Sequence, residues 1–371
     1  MDITQKIDAV TMINKERIEA GGVQPAPKSV KIEITNKCSL RCKFCALQTR
    51  DHKSNQEMDF DFFKRITEDM ARAGVEEIGL FYLGESFMAP ELLVKCCEWV
   101  KKALEFPWVF LTSNGVNATP DHVKALMEAG LDSLKWSTNY NSYEAFHSVT
   151  GGSQKQFENA LENIKQASYM RPRYNGKPFI SASSILFSDE PDFIINTQKF
   201  LIKHVIPYVD RHYWLPLYQM SMYKQKIIDE LGYVPTAGNS GRLDDDTMLP
   251  TRKPLPCWSA FTEGHVRVDG NLSACCFGAD ARFDMGLLDG SNFMKMWNSP
   301  EFVKLRESQL RTLSEGPTAL KNTPCKICVA YGDSNKSEDP EVLNNINKME
   351  NGSESSGQFE TFKEWAPSLI C

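Results

Sequence analysis

Cys38, Cys42 and Cys45 stand directly behind a β-rich run at 29–35. Thiolates are soft ligands that suit iron–sulfur clusters and zinc. Three of them on one loop can hold three irons of a 4Fe–4S cluster, whose usual complement is four cysteines. The fourth iron then stays open, and an open, redox-active iron can chelate the amino and carboxylate groups of a methionine-like ligand. Zinc fits this set less well, because no fourth ligand with customary spacing follows. A second set lies downstream: Cys257, Cys275, Cys325 and Cys328, the last two in a C-x2-C pair. Taken alone, that set suits either a 4Fe–4S cluster or a structural zinc.

Such sites need strands and loops to position them. β-rich runs lie near 29–35, 76–83, 108–114, 133–139, 179–187 and 209–217, with helical patterns near 59–73, 89–106, 119–130, 153–171 and 190–205. This alternation predicts parallel βα units. Six units suit a partial (β/α)6 barrel better than a closed one of eight, with functional residues at the carboxyl ends of the strands. The fold class is therefore α/β. An N-terminal helix near 4–20 and a Gly/Pro-rich linker occupy 1–28, the barrel 29–220 and an irregular linker 221–256. A small α+β domain follows at 257–330, where Asp269 and Gly270 between alternating apolar residues predict a hairpin. Residues 331–371 read as a mostly polar tail.

The chain of 371 residues is 42% hydrophobic and carries a net charge of −6, so it can bury a sizeable core and does not call for a polyanionic partner. Residues 1–8 are too charged for a secretory signal, and no apolar run is long enough to cross a bilayer. The expected setting is cytoplasmic, without a membrane. Eleven cysteines there point to metal or redox chemistry rather than disulfides.

The spacing of Cys38, Cys42 and Cys45, with Phe44 before the last, resembles the C-x3-C-x-Φ-C signature of the radical SAM superfamily. Further resemblances follow in order along 29–217. Residues 82–86, Tyr-Leu-Gly-Glu-Ser, are similar to the family's G-G-E-P segment, which binds the amino group of S-adenosylmethionine; Gly84 and Glu85 match, while Leu83 and Ser86 depart from it. Asn114 lies in a T-N-G-like segment, Ser137 stands where the family uses a serine near the ribose or the methionine carboxylate, and Ser183 lies on the fifth strand with Ser181. The resemblance thus implies cofactor contacts from Phe44, Gly84, Glu85, Asn114, Ser137 and Ser183. Residues 257–328 resemble the SPASM auxiliary-cluster domain or its shortened form, twitch; Gly270 and Cys275 have the G-x4-C spacing. Cysteines expected after Cys328 in a full SPASM domain are missing, so the resemblance implies one auxiliary 4Fe–4S cluster on Cys257, Cys275, Cys325 and Cys328, beside the first, S-adenosylmethionine-binding cluster. It also implies an electron donor such as flavodoxin or ferredoxin.

By that resemblance the enzyme abstracts a hydrogen atom through a 5′-deoxyadenosyl radical. Three outcomes stand. The first is oxidation of a small amine- or hydroxyl-bearing substrate, aided by the auxiliary cluster; the layout resembles that of an aminocyclitol dehydrogenase. The second is redox-neutral epimerisation or rearrangement of an aminoglycoside, an amino acid or an amino-acid-modified nucleotide. The third is peptide maturation, against which the short N-terminal region speaks. Cys276, next to a ligand position on a strand, is either a packed thiol or a catalytic hydrogen donor. Cys96 and Cys97 have helical spacing and read as core, the basic and aromatic stretch 169–177 as a solvated turn, and Tyr140, His212, Tyr213 and Trp214 as residues near strand tops.

Overall fold

The computed structural model describes residues 16–42, 45, 47, 55–186, 191–216, 256–257, 259–275 and 283–327. Six strands run in sequence as β1 (Ser29–Ile32), β2 (Glu77–Gly79), β3 (Trp108–Ser113), β4 (Ser133–Ser137), β5 (Phe179–Leu186) and β6 (Arg211–Pro216). Each pairs in parallel with the next. Between them lie α1 (Phe60–Ala73), α2 (Pro90–Glu98), α3 (Pro120–Ala129), α4 (Tyr143–Thr150), α5 (Gln154–Met170) and α6 (Pro191–His204). The predicted partial (β/α)6 architecture is therefore present. α4 has no counterpart among the predicted helices; it is only 8 residues long, too short for a clear helical period, yet Ser142 caps it and Phe146 anchors it.

Side-chain alternation decides which way the strands face. Val30, Ile32, Ile78, Leu80, Val109, Leu111, Leu134, Trp136, Ile180 and Ala182 are buried beneath the helices. The opposite, inner face carries Lys31, Gly79, Phe110, Thr112, Lys135, Ser137, Ser181 and Ser183, aligned strand to strand by the register. Cys96 and Cys97 are fully buried core residues, as their spacing predicts.

The C-terminal segment joins this sheet instead of standing apart. β7 (Glu263–Val266), after a short helix α7 (Ser259–Thr262), pairs in parallel with β1. β8 (Asn271–Ser273) and β9 (Asp284–Leu287) continue antiparallel, giving a 9-stranded sheet in the order β6-β5-β4-β3-β2-β1-β7-β8-β9. The predicted hairpin is the β7–β8 turn, where Arg267 holds Asp284 in two hydrogen bonds of 3.0 and 2.9 Å and Asp269 in a third of 2.8 Å. α8 (Phe293–Trp297) and α9 (Pro300–Glu315) close the segment.

The Gly/Pro stretch near 21–27, read from sequence as a linker, is instead clasped by this segment. The Trp297 indole donates to the Pro25 carbonyl at 2.8 Å, and the Asn298 amide donates to the Gln24 carbonyl at 2.9 Å. Arg306 is fully buried, lies over the Trp297 and Phe302 rings, and donates to the carbonyls of Ala260 and Gly22 and to Asn298 Oδ1. Burial pushes its guanidinium down to about 9. Arg306→Ala removes the ring contacts and strands those acceptors, so the variant is expected to lose about 3 kcal/mol in denaturant unfolding. A loss under about 1 kcal/mol would show that this clasp contributes little.

Candidate iron–sulfur and cofactor site

The loop after β1 carries Cys38, Cys42 and Cys45, all half-buried. The Cys45 amide donates to the Cys42 carbonyl at 3.0 Å, a tight turn that keeps these two residues together. Beneath the loop lies an apolar pedestal of Leu40, Val116, Tyr140, Phe146 and Ala160, against which Cys38 and Cys42 pack. Burial, followed by Glu85 and then Cys45, pushes the Cys38 thiol up to about 12. Burial, with Cys45 and Cys38 next, also pushes Cys42 well up. A bound metal would offset this, because metal coordination deprotonates a thiol outright.

The segment at 82–86 is locked to that loop by contact. A Cβ on Gly84 would stand 2.0 Å from the Thr35 carbonyl oxygen and 2.9 Å from Asn36 Cα, so only glycine fits. The neighbouring Glu85 amide donates to the Lys37 carbonyl at 2.8 Å. The Glu85 carboxylate is buried and accepts from Ser113 Oγ at 2.9 Å, the Asn114 amide at 2.8 Å and the Phe87 amide at 3.1 Å. Burial raises its pKa, against the three hydrogen bonds that lower it. Glu85 thus braces the ends of β2 and β3. Asn114 in turn reaches the cysteine loop, its side-chain amide 3.9 Å from Cys38 Sγ.

Ser137 and Ser183 are direct partners across β4 and β5, and Tyr213 follows in the same row on β6. Gly84, Glu85, Asn114, Ser137 and Ser183 therefore all lie at the carboxyl ends of adjacent strands. Two of the residues that the sequence places near strand tops do not face the inner side. Tyr140 is buried in the aromatic pedestal with Phe146, Phe157 and Phe200. The His212 ring pairs with Ser184 Oγ at 3.0 Å, on the helix-facing side, and burial pushes it down to about 4. Strand alternation puts His212 and Tyr213 on opposite faces, a distinction their adjacency in sequence hides.

Cys257, Cys275 and Cys325 are half-buried, and Cys275 follows β8 directly. The Tyr82 hydroxyl donates to the Cys275 carbonyl at 2.7 Å, and the Tyr82 ring lies 5.3 Å from that of His265. This link between the two cysteine regions was missed in sequence, where Tyr82 and Cys275 are 193 residues apart. Phe44, Cys276 and Cys328 lie outside the described residues. Among the described residues no three Cys, His, Asp or Glu side chains converge as a metal site. The donor chemistry of three thiols on the first loop and the glycine-only approach of residue 84 nevertheless fit a cluster with an attached cofactor.

The radical SAM superfamily matches residues 32–171, and the SPASM iron–sulfur cluster-binding domain matches residues 257–348. A GTP 3′,8-cyclase of Clostridium perfringens (strain SM101 / Type A) is 28% identical over 125 residues, 33% of this chain and 37% of that protein. The match thus spans little more than a third of that relative's length. Among solved structures, BtrN in complex with AdoMet and 2-DOIA has a TM-score of 0.51 at 14% identity, covering 82% of this chain and 94% of that one. Streptococcus suis SuiB bound to precursor peptide SuiA has a TM-score of 0.55 at 13% identity, covering 81% and 70%. These likenesses extend the shared fold over most of the chain.

A parallel βα sheet with a cysteine loop at its top and a cysteine-bearing C-terminal extension defines an iron–sulfur protein of two linked parts. The chain is a radical SAM enzyme with a C-terminal SPASM domain. S-adenosylmethionine and a 4Fe–4S cluster belong to the first part, and further iron–sulfur to the second. No helix among the described residues is long and apolar enough to cross a membrane.

Proposed function

We propose that this enzyme removes a hydrogen atom from a small amine- or hydroxyl-bearing substrate and releases a product oxidised by two electrons. When bound, the clusters and S-adenosylmethionine supply a hydrogen-abstracting radical at the first cysteine set and an electron sink at the second. Cys38, Cys42 and Cys45 would hold one cluster, and Cys257, Cys275, Cys325 and Cys328 the other. Gly84 would offer its backbone to the cofactor, with Asn114, Ser137 and Ser183 beside it. The substrate's hydrogen atom would go to the 5′-deoxyadenosyl radical, giving 5′-deoxyadenosine, its electron to the second cluster and its proton to solvent.

The hydrogen bond from Tyr82 to Cys275 carries this reading, because it joins the cofactor-side segment to the second cysteine set. One 5′-deoxyadenosine is therefore expected per oxidised product, measured by anaerobic turnover with mass spectrometry. Tyr82→Phe is expected to lower product formed per cofactor cleaved severalfold and to cost about 1 kcal/mol of stability. Catalytic reuse of the cofactor with an isomeric product would overturn the oxidative reading.

The cyclase relative supports a second reading, a redox-neutral ring closure or rearrangement of an aminoglycoside, an amino acid or a nucleotide. Peptide modification is the third, supported by the peptide named with SuiB. An electron donor of flavodoxin or ferredoxin type would serve any of them.

A further inference from the structure

One row on the inner face of the sheet remains without a task. Thr112, Lys135, Ser181 and Arg211 are successive partners across β3, β4, β5 and β6. The row lies two residues before Ser137 and Ser183 along their strands, about 7 Å deeper in the barrel at the usual strand rise. Among the described residues the half-buried Lys135 ammonium has no hydrogen-bond or ion-pair partner. The hydroxyls on either side of it, Thr112 Oγ1 and Ser181 Oγ, are buried and likewise without partners. Lys31 also faces inward, but it is matched by Glu263 at 2.6 Å. Burial, and then Lys31, pushes the Lys135 ammonium down to about 8.

Buried polar groups without partners are uncommon, and each one asks for a reason. Here two hydroxyls flank one unmatched cation, with a guanidinium next in line. Hydroxyl donors beside an ammonium suit an anion's oxygens, and such bonds are strongest when both charges are shielded from water.

We propose that Thr112, Lys135 and Ser181, with Arg211 beside them, bind a carboxylate or phosphate group of the substrate inside the barrel and turn its reactive carbon toward the row of Ser137 and Ser183. This rests on the reading of the chain as a hydrogen-abstracting enzyme with its substrate in the barrel, and it narrows the substrate class to anions.

The test is anaerobic calorimetric titration of the reconstituted holoenzyme with inorganic phosphate and, separately, with succinate, at ionic strength matched by chloride. One anion should bind at a single site; phosphate alone identifies a phosphorylated substrate, succinate alone a carboxylate. Lys135→Met should weaken that binding at least about tenfold, the loss of one charge-assisted contact. Lys135→Arg should largely retain it. Should Lys135→Met fail to fold, Thr112→Val and Ser181→Ala decide, each expected to weaken binding severalfold. No binding of either anion, or unchanged binding in these variants, overturns the proposal. Substrate-free cleavage of S-adenosylmethionine by the wild type is read in parallel. Cleavage without anion binding removes the pocket alone; anion binding without cleavage keeps the pocket and removes the reaction assigned to it.

Discussion

An enzyme in which Cys38, Cys42 and Cys45 are all alanine is expected to keep about four of about eight irons and to cleave no S-adenosylmethionine. The expected size follows from where the thiols sit. They lie on the loop above the pedestal of Leu40, Tyr140 and Phe146, which remains intact when three sulfurs are removed. Of the second cysteine set, Cys275 lies just beyond β8, on the other side of β1 from β2, and the set should hold its own iron. The measurement is iron and sulfide analysis after anaerobic reconstitution, with 5′-deoxyadenosine quantified after dithionite reduction. Replacing Cys257, Cys275, Cys325 and Cys328 should remove the other half. Full iron retained in the first variant, or zinc bound in place of iron in the wild type, would refute the assignment of these ligands.

Gly84→Ala is expected to depress cofactor cleavage about 100-fold, although no cysteine has been touched. The added methyl group would meet the Thr35 oxygen at 2.0 Å, with Thr35 C and Asn36 Cα both at 2.9 Å. All three are backbone atoms and cannot swing aside as a side chain can. Either the cysteine loop or residues 82–86 must shift, and the Glu85 to Lys37 hydrogen bond would break with that shift. A stability loss of about 3 kcal/mol should accompany it. Gly79→Ala provides the contrast, because its close neighbours are the Phe110 and Lys31 side chains, which can move. It should be tolerated better, with iron content unchanged. Equal activity in Gly84→Ala and wild type would show that the packing of these two segments does not set the cofactor's position.

The barrel was legible because each strand writes its own pattern. Val30 and Ile32 on β1, or Leu134 and Trp136 on β4, alternate or cluster as half-buried strands must, and the order of the cysteine loop, residues 82–86 and Asn114 follows from the repeat. Local patterns also gave the hairpin at Asp269 and Gly270. Pairings between distant residues were not legible. Nothing in residues 263–266 says that they will run parallel to β1, and nothing in the Gly/Pro stretch announces the indole of Trp297. Glu85 read as a cofactor contact; the structure adds a brace that depends on the ends of two different strands. Lys135 is inconspicuous in the sequence, because a lone lysine in a strand ordinarily points to solvent. Only the register shows that it stands between two buried hydroxyls.

The pairing of β1 with β7 also governs how the chain can be made. β1 begins at Ser29, but its second hydrogen-bonded neighbour is Glu263–Val266, more than half the chain away. During synthesis that edge of the barrel stays uncovered until nearly three quarters of the polypeptide has emerged. Contacts so distant in sequence form slowly, and an open, apolar-backed strand edge invites pairing with the wrong chain. A fragment ending before Glu263 keeps the first cysteine loop but carries a permanently exposed edge on the strand that leads into it. Such truncations are therefore poor vehicles for isolating the barrel, and the C-terminal extension acts, for its own N-terminal partner, as a built-in guard against self-association.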